Sequence, residues 1–330
     1  MRTLTLSIAT GNYDRVRPLM DGQVRIEGVD PLYMLLEPEE IFFRAFRGAQ
    51  FDVCELSLSS LAVQTARGES PYVGVPVFPS RMFRHGAIFV RTDRAIRSAA
   101  DLRGRRVGLP EYQLTACVWA RILLEEDHGV APHEILWVRG GLEQGGREEK
   151  IPLDLPRSVS LEDAPADRTL AMMLAAGELD GLVTPRVPSL IERGHPSIGR
   201  LFPDPAAAAR SYFERTKIFP IMHVLGVRRS LASEHPWLPG ALLKAFTEAK
   251  TRAIAALADS ASAKVSLPFV DEDLNAARAL MGHDYWSYGV ESNRHVLDTF
   301  LRHHHAQGLS ARRLAPEELF HPTTLEQFKI

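Results

Sequence analysis

VFPSRMFRHGAIFVRT, residues 77–92, decides how this chain reads. Arg81, Arg84 and His85 stand directly before residues 86–90, an apolar run that predicts a buried strand. A counterpart lies at 217–227, KIFPIMHVLGV, another apolar run with His223 set inside it. Together the two predict paired strands that cross between two α/β lobes, with polar side chains turned to a cleft between those lobes. The lobes so expected are discontinuous: residues 1–91 with 218–330 form the first, and 92–217 form an inserted second.

Length and composition agree with two lobes. A chain of 330 residues is too long for one ordinary core. Its 24% charged and 45% hydrophobic residues suit a soluble globular protein. A formal net charge of -2 argues against a general nucleic-acid binder. Cys54 and Cys117 belong to no CxxC motif, so a reducing compartment is the simpler setting. The opening MRTLTLSIATGNYD goes straight into an alternating strand and shows no apolar h-region, so no signal peptide is expected. No run approaches the ~18 apolar residues of a membrane span. These readings predict a cytoplasmic protein with neither a nucleic-acid nor a membrane partner.

Working outward, Leu4, Leu6 and Ile8 alternate with Thr3, Thr5 and Ser7, a period-2 strand. Asn12, Tyr13 and Asp14 follow at its carboxyl end, where α/β sheets commonly hold ligands; a turn leading into a helix cap is the alternative. Residues 39–47 predict an amphipathic helix with Ile41, Phe42, Ala45 and Phe46 inward. Residues 51–55 predict a short buried strand that opens at Ser57 into a serine-rich helix start. Free N–H groups there suit a carboxylate ligand, and ordinary serine capping serves as well. Glu55, a carboxylate at a strand end, calls for a partner.

The segment 101–109 reads as a turn and a strand, and 113–127 as a helix whose first turn carries Gln113 and Thr115, a second anion-binding position. Trp119 lies deeper in that helix, as core. Residues 140–165 are rich in Gly, Pro and charge and predict an exposed excursion, with Lys150 on a solvated face. A helix over 168–176 leads to a short strand ending at TPRVP, which presents Arg186 between prolines as a clamp for a carboxylate. Helices are predicted from near Pro239, over 272–281 and over 292–305. Between the last two lies an aromatic loop, 283–289, that contains Trp286.

Much familiar chemistry is absent. The chain has no GxxxxGK[ST], no GxGxxG after a strand, no HExxH and no GxSxG. His303, His304 and His305 point about 100° apart on a helix and read as a solvated helix end rather than a metal site. No metal or cofactor is therefore expected. What remains is a cationic, hydrogen-bonding set suited to a small doubly anionic or phenolic ligand.

The order of elements resembles the type II periplasmic-binding-protein fold, and DLRGRRVGLPE is similar to the stretch that opens the second lobe of many solute-binding proteins. More specifically, FDVCELSLSSL, FPSRMFRHGAIFVR, GLVTPRVP, IFPIMHVLGVRR and DYWSYGVESNR together resemble the 4,5-dihydroxyphthalate decarboxylase family, over nearly the whole chain. The resemblance implies a cytoplasmic, non-oxidative decarboxylase that converts 4,5-dihydroxyphthalate to protocatechuate and carbon dioxide, with a small aromatic carboxylate as its partner. Each carboxylate of that compound has a hydroxyl para to it. Ring protonation then needs only an acid, a base for the phenol and cationic anchors. His223 is expected as the proton donor, with His85 as the alternative acid. Glu55 would orient His223 or accept the phenolic proton. Arg81, Arg84 and Arg186 would hold the carboxylates. Ser57 and Thr115 would donate hydrogen bonds, with Gln113, Tyr13 and Trp286 also lining the ligand. Two other readings stay open: a solute-binding or sensor domain for an aromatic acid, and a biosynthetic enzyme on the same fold. The sequence leaves room for a homo-oligomer.

Overall fold

The computed structural model describes residues 3–326. The chain begins with β1 (Leu4–Thr10), α1 (Arg17–Met20), β2 (Val29–Leu35), α2 (Pro38–Gly48), β3 (Val53–Ser57), α3 (Leu58–Arg67), β4 (Tyr72–Arg81) and β5 (Ile88–Arg91). It continues through β6 (Arg106–Leu109), α4 (Thr115–His128), β7 (Leu136–Arg139), β8 (Leu161–Asp163), α5 (Leu170–Ala176), β9 (Gly181–Val183), α6 (Ser189–Glu192), β10 (Ile198–Arg200) and α7 (Pro205–Thr216). It ends with β11 (Ile221–Arg228), α8 (Arg229–Glu234), α9 (Leu238–Leu257), α10 (Val270–Met281) and α11 (Arg294–Ala306).

Two compact units result. The first comprises the residues up to Arg81, Ile221–Asp298 and the residues from Leu314 on. The second comprises Met82–Pro220 and Thr299–Arg313. Each holds one sheet. In the first unit the strand order is β2-β1-β3-β11-β4, and in the second β10-β5-β9-β6-β7-β8.

In the first unit β1 is parallel to β2 and β3, whereas β11 is antiparallel to both β3 and β4. The partner of β11 is therefore the strand Tyr72–Arg81, with Ile221 opposite Arg81 and His223 opposite Ser80. This corrects the sequence reading, which paired residues 86–90 with 217–227. The apolar run 86–90 becomes the turn His85–Ala87 and β5, which pairs with β9 and β10. Pro76 and Pro79 obscured β4, because proline cannot donate to a ladder. They are accommodated because β4 ends its sheet.

Local sequence explains the helices around this sheet. Ile41, Phe42, Ala45 and Phe46 are buried along α2, the helical spacing that the sequence showed. Ser57 caps α3 by accepting the amide N–H of Ser60, and Gly68 closes that helix in the left-handed conformation that glycine tolerates. Along α9, Leu242, Phe246, Ala249 and Ala253 are buried, and Glu248 pairs with Arg252 on the outer face at 2.7 Å.

The second unit departs from expectation in three places. Residues 82–91 and Thr299–Arg313 belong to it, although the sequence assigned both to the first lobe. In the latter segment the Phe300 ring lies 5.3 Å from Trp119 of α4, and His303 meets Glu125 and Glu126 at 3.1 and 2.7 Å. The histidine run is thus no solvated helix end. His303 and His304 are buried, and His304 and His305 reach the Oγ and carbonyl oxygen of Ser310. Finally, Lys150 is buried rather than solvated. Its ammonium lies 2.5 Å from the carboxylate of Glu111, which Arg147 also meets at 2.6 Å. Burial raises the Glu111 pKa, but Lys150 and Arg147 outweigh it and hold the carboxyl below its ordinary value.

Candidate active site

The chemistry that stands out in the first unit is built on β3 and β11. The antiparallel register places Leu225 opposite Glu55 and His223 opposite Ser57. His223 is therefore a diagonal neighbour of Glu55 on one face of the sheet. Glu55 is fully buried, and a carboxylate there requires compensation. It has three donors or cations around it. His223 Nδ1 lies 2.5 Å from Oε1, the Tyr13 hydroxyl donates to Oε1 at 2.8 Å, and the Gly11 N–H donates to Oε2 at 2.9 Å. Burial pushes the Glu55 pKa up, but His223, then the Gly11 N–H and the Tyr13 hydroxyl, more than offset this and hold it below the ordinary value. Glu55 is thus the ionised centre of a buried network.

His223 is only partly covered, with 17% of its side chain exposed. Phe42 meets the ring edge-on at 4.8 Å. With Nδ1 committed to Glu55, no described residue hydrogen-bonds its Nε2. The tautomer that places a proton on Nδ1 is set by the carboxylate, so Nε2 is the atom left for a reacting group.

The loop after β1 supplies the other contacts. Tyr13 is largely buried, and burial, Glu55's charge and the hydrogen bond to Glu55 all raise the phenol's pKa, so it stays protonated and donates. The Arg15 guanidinium lies 4.4 Å from the Tyr13 ring centroid and 4.1 Å from that of Trp286. Its Nε donates to the Pro79 carbonyl at 2.7 Å, and Nη1 meets Asp14 at 2.9 Å. The Trp286 indole N–H donates to the Phe78 carbonyl at 2.9 Å. Gly11 and Arg15 were not among the residues singled out from the sequence. A glycine two residues before the tyrosine was the available signal for Gly11, and nothing local marked Arg15.

The other expected site residues have these places. Arg81, at the end of β4, is buried, donating to the Ser287 carbonyl at 2.8 Å and to Asn293 Oδ1. Burial lowers its pKa, against the smaller opposing influence of Tyr288 and Asp284. Its role seen here is to hold the aromatic loop. Ser57 caps α3.

In the second unit, Arg84 is buried. His85 is also buried, with the rings of Phe202 and Tyr212 at 5.2 and 5.4 Å, and its Nδ1 has no described hydrogen-bond partner. Burial pushes its pKa down to about 4, which leaves a neutral ring poorly suited to donating a proton at neutral pH. Gln113 is turned inward, its side-chain amide donating to the Ile151 carbonyl at 2.6 Å. Thr115 begins α4 and is buried, whereas Arg186 is exposed beyond β9. The amides of Tyr112 and Gln113, ahead of α4, already face a carboxylate, that of Glu149, at 2.5 and 3.4 Å. Among the described residues no group of three or more His, Cys, Asp or Glu side chains is placed to hold a metal, and no helix is long and apolar enough to cross a membrane.

Two mixed α/β units with this strand order define a protein of the periplasmic-binding-protein-like class. Solved structures share that fold. The aliphatic sulphonate binding protein SsuA of Escherichia coli matches with a TM-score of 0.54 and 14% identity, covering 98% of this chain and 99% of that one. The desulfurization enzyme DSZB matches at 0.50 and 14%, with 98% of each chain covered. At such identities the likeness is one of fold. No family model matches the chain. Curated relatives go further. The 4,5-dihydroxyphthalate decarboxylase of Comamonas testosteroni is 60% identical over 330 residues, the whole of both chains. That of Pseudomonas putida is 60% identical over 213 residues, 64% of this chain and 83% of that one. The chain belongs to the 4,5-dihydroxyphthalate decarboxylase family and is a decarboxylase.

Proposed function

We propose that this decarboxylase acts on 4,5-dihydroxyphthalate, giving protocatechuate and carbon dioxide, with His223 as the acid that protonates the ring. The substrate is supported by the full-length relationship to the Comamonas testosteroni enzyme. The observation that carries the mechanism is the partly exposed imidazole of His223, held at Nδ1 by the ionised Glu55 with Nε2 left over.

The hydroxyl para to the departing carboxylate pushes electron density onto the carbon that bears it. Nε2–H delivers its proton to that carbon. The C–C bond then breaks, its electron pair returns to the ring and carbon dioxide leaves. His223 is left neutral and regains a proton from water, so the balance closes without an electron acceptor. Glu55 holds Nδ1 and so fixes the ring's orientation, with Nε2 turned to the reacting carbon. It is the orienting group rather than the base for the phenol, because both oxygens are already hydrogen-bonded and its basicity is depressed.

The test mixes the purified protein with 4,5-dihydroxyphthalate, with and without a chelator, and follows carbon dioxide and the product spectrum. One carbon dioxide per protocatechuate in both arms supports the proposal. Release that stops with chelator keeps the substrate but adds a metal to the mechanism. A thermal shift without release would move the assignment to a related acid, and neither shift nor release would overturn the substrate class.

A further inference from the structure

We infer that Gly11 and Tyr13 form a positioning device that locks the Glu55 carboxylate in place behind His223, with Gly11 required to be glycine because the Tyr13 ring occupies the space a side chain would take. This rests on the proposed role of His223.

The geometry is specific. The Gly11 N–H donates to one oxygen of Glu55 and the Tyr13 hydroxyl to the other, at 2.9 and 2.8 Å. A Cβ added at Gly11 would stand 2.7 Å from the Tyr13 Cζ and 2.8 Å from its hydroxyl oxygen. Any larger residue at position 11 must therefore push that hydroxyl away. Arg15 lies over the Tyr13 and Trp286 rings, and its anchor on the Pro79 carbonyl ties this stack to β4. The tyrosine is thus held from behind by a cation and used at its tip as a donor. That makes it a support for the carboxylate rather than a ligand-facing phenol.

The charged and titratable groups around Glu55 are His223 from β11, Tyr13 from the loop after β1 and Cys54 beside it on β3. Its charge is also felt by Tyr288 in the aromatic loop, and Arg15 acts on Tyr13. The Gly11 and Tyr13 donors both favour the charged carboxylate, so removing either raises the pH at which it protonates. A protonated Glu55 no longer holds the His223 ring through a charged hydrogen-bond partner.

The experiment compares Tyr13→Phe, Tyr13→Ala, Gly11→Ala and the double variant Gly11→Ala/Tyr13→Ala. In Tyr13→Phe, kcat should fall by about tenfold with little change in KM, and the acid limb of kcat/KM should move up by about one pH unit. Gly11→Ala should reproduce that shift. In the Tyr13→Ala background there is no ring to displace, so adding Gly11→Ala should cost almost nothing more. Losses that multiply, or a fall in activity with an unmoved acid limb, would overturn the inference.

A second readout is independent of turnover. The Glu55 carboxyl carbon is titrated by NMR in 13C-glutamate-labelled protein, its signal assigned by its loss in Glu55→Gln. An upward shift in Tyr13→Phe supports the device even if the substrate assignment fails. An unchanged titration overturns it even if decarboxylation is confirmed.

Discussion

His223 Nδ1 and Glu55 Oε1 lie 2.5 Å apart on neighbouring antiparallel strands, and the carboxylate of the pair is fully buried while the imidazole is not. That asymmetry assigns the roles. The member shut off from solvent supplies a fixed charge, and the member with a remaining free ring nitrogen handles the proton. His223→Ala should therefore lower kcat by about 100- to 10,000-fold, the usual worth of a positioned general acid. The melting temperature should fall as well, because Glu55 is left fully buried without its largest favourable partner, so turnover is compared where the variant is still folded. Steady-state carbon dioxide release beside a melting curve decides it; a variant that keeps full turnover would remove His223 from the mechanism.

The pH dependence follows from Glu55. Its folded-state pKa lies below its unfolded value, so its contribution to stability is present above the unfolded pKa, about 4.3. It is lost as pH falls through the folded value. Activity should hold from neutrality down to that region and then fall together with stability. Urea unfolding at pH 7 and at a pH well below 4 should show a smaller drop for Glu55→Gln than for the parent. Equal drops would mean that the carboxylate is not compensated as described.

The buried ion cluster of the second unit gives a separate test. Lys150→Met leaves Glu111 buried with one of its two cations, Arg147, still in place. Removing one partner of a buried pair commonly costs about 3 kcal/mol or more, because the other charge stays desolvated. The double change Lys150→Met/Glu111→Leu should recover most of the loss. Glu111, like Glu55, has a lowered folded pKa, so the parent's advantage over Lys150→Met should shrink as pH falls. Chemical denaturation of the three proteins at two pH values measures both effects.

Arg81 separates anchoring a ligand from holding the fold. It was expected from the sequence to grip a carboxylate, yet it donates to the Ser287 carbonyl and to Asn293. Arg81→Met should lower the melting temperature by several degrees, consistent with about 2 kcal/mol for a buried hydrogen-bonded charge. Asn293→Ala should do much the same, and the two together should be clearly less than additive. A large rise in KM with unchanged stability would return Arg81 to the substrate.

What could be read from the sequence was local. The alternation in β1, the apolar stripe of α2 and the serine start of α3 each follow from a few neighbouring residues. Glu55 could be flagged because a carboxylate at the end of a buried strand needs a partner. Its partner lay 168 residues away, and only the chain topology brings the two together. Separation in sequence also hid the partner of Lys150, which lies 39 residues from Glu111 in a stretch whose glycines, prolines and charges looked solvated. It hid His303 too, which meets carboxylates 177 and 178 residues earlier. The misread strand had another cause. Prolines at 76 and 79 broke the pattern by which a strand is recognised, so the apolar run at 86–90 drew the pairing that belongs to Tyr72–Arg81.

If Nε2 of His223 delivers the ring proton, the reaction leaves an isotopic mark. Decarboxylation in heavy water should place one deuterium in protocatechuate, at the carbon that lost the carboxylate, which is para to a hydroxyl. By microscopic reversibility the same acid can exchange that ring hydrogen in protocatechuate supplied as such, slowly and without carbon dioxide. NMR of the recovered product reads both. His223→Ala should lose the two activities together, because one proton-transfer site serves both, while Arg186→Ala, which leaves the His223–Glu55 pair itself intact, should not alter the position of the label. Deuterium at more than one ring carbon would point to protonation by solvent. Exchange that continues at the parent rate in His223→Ala would show that another group holds the proton, and the assignment built on the His223–Glu55 pair would fall with it.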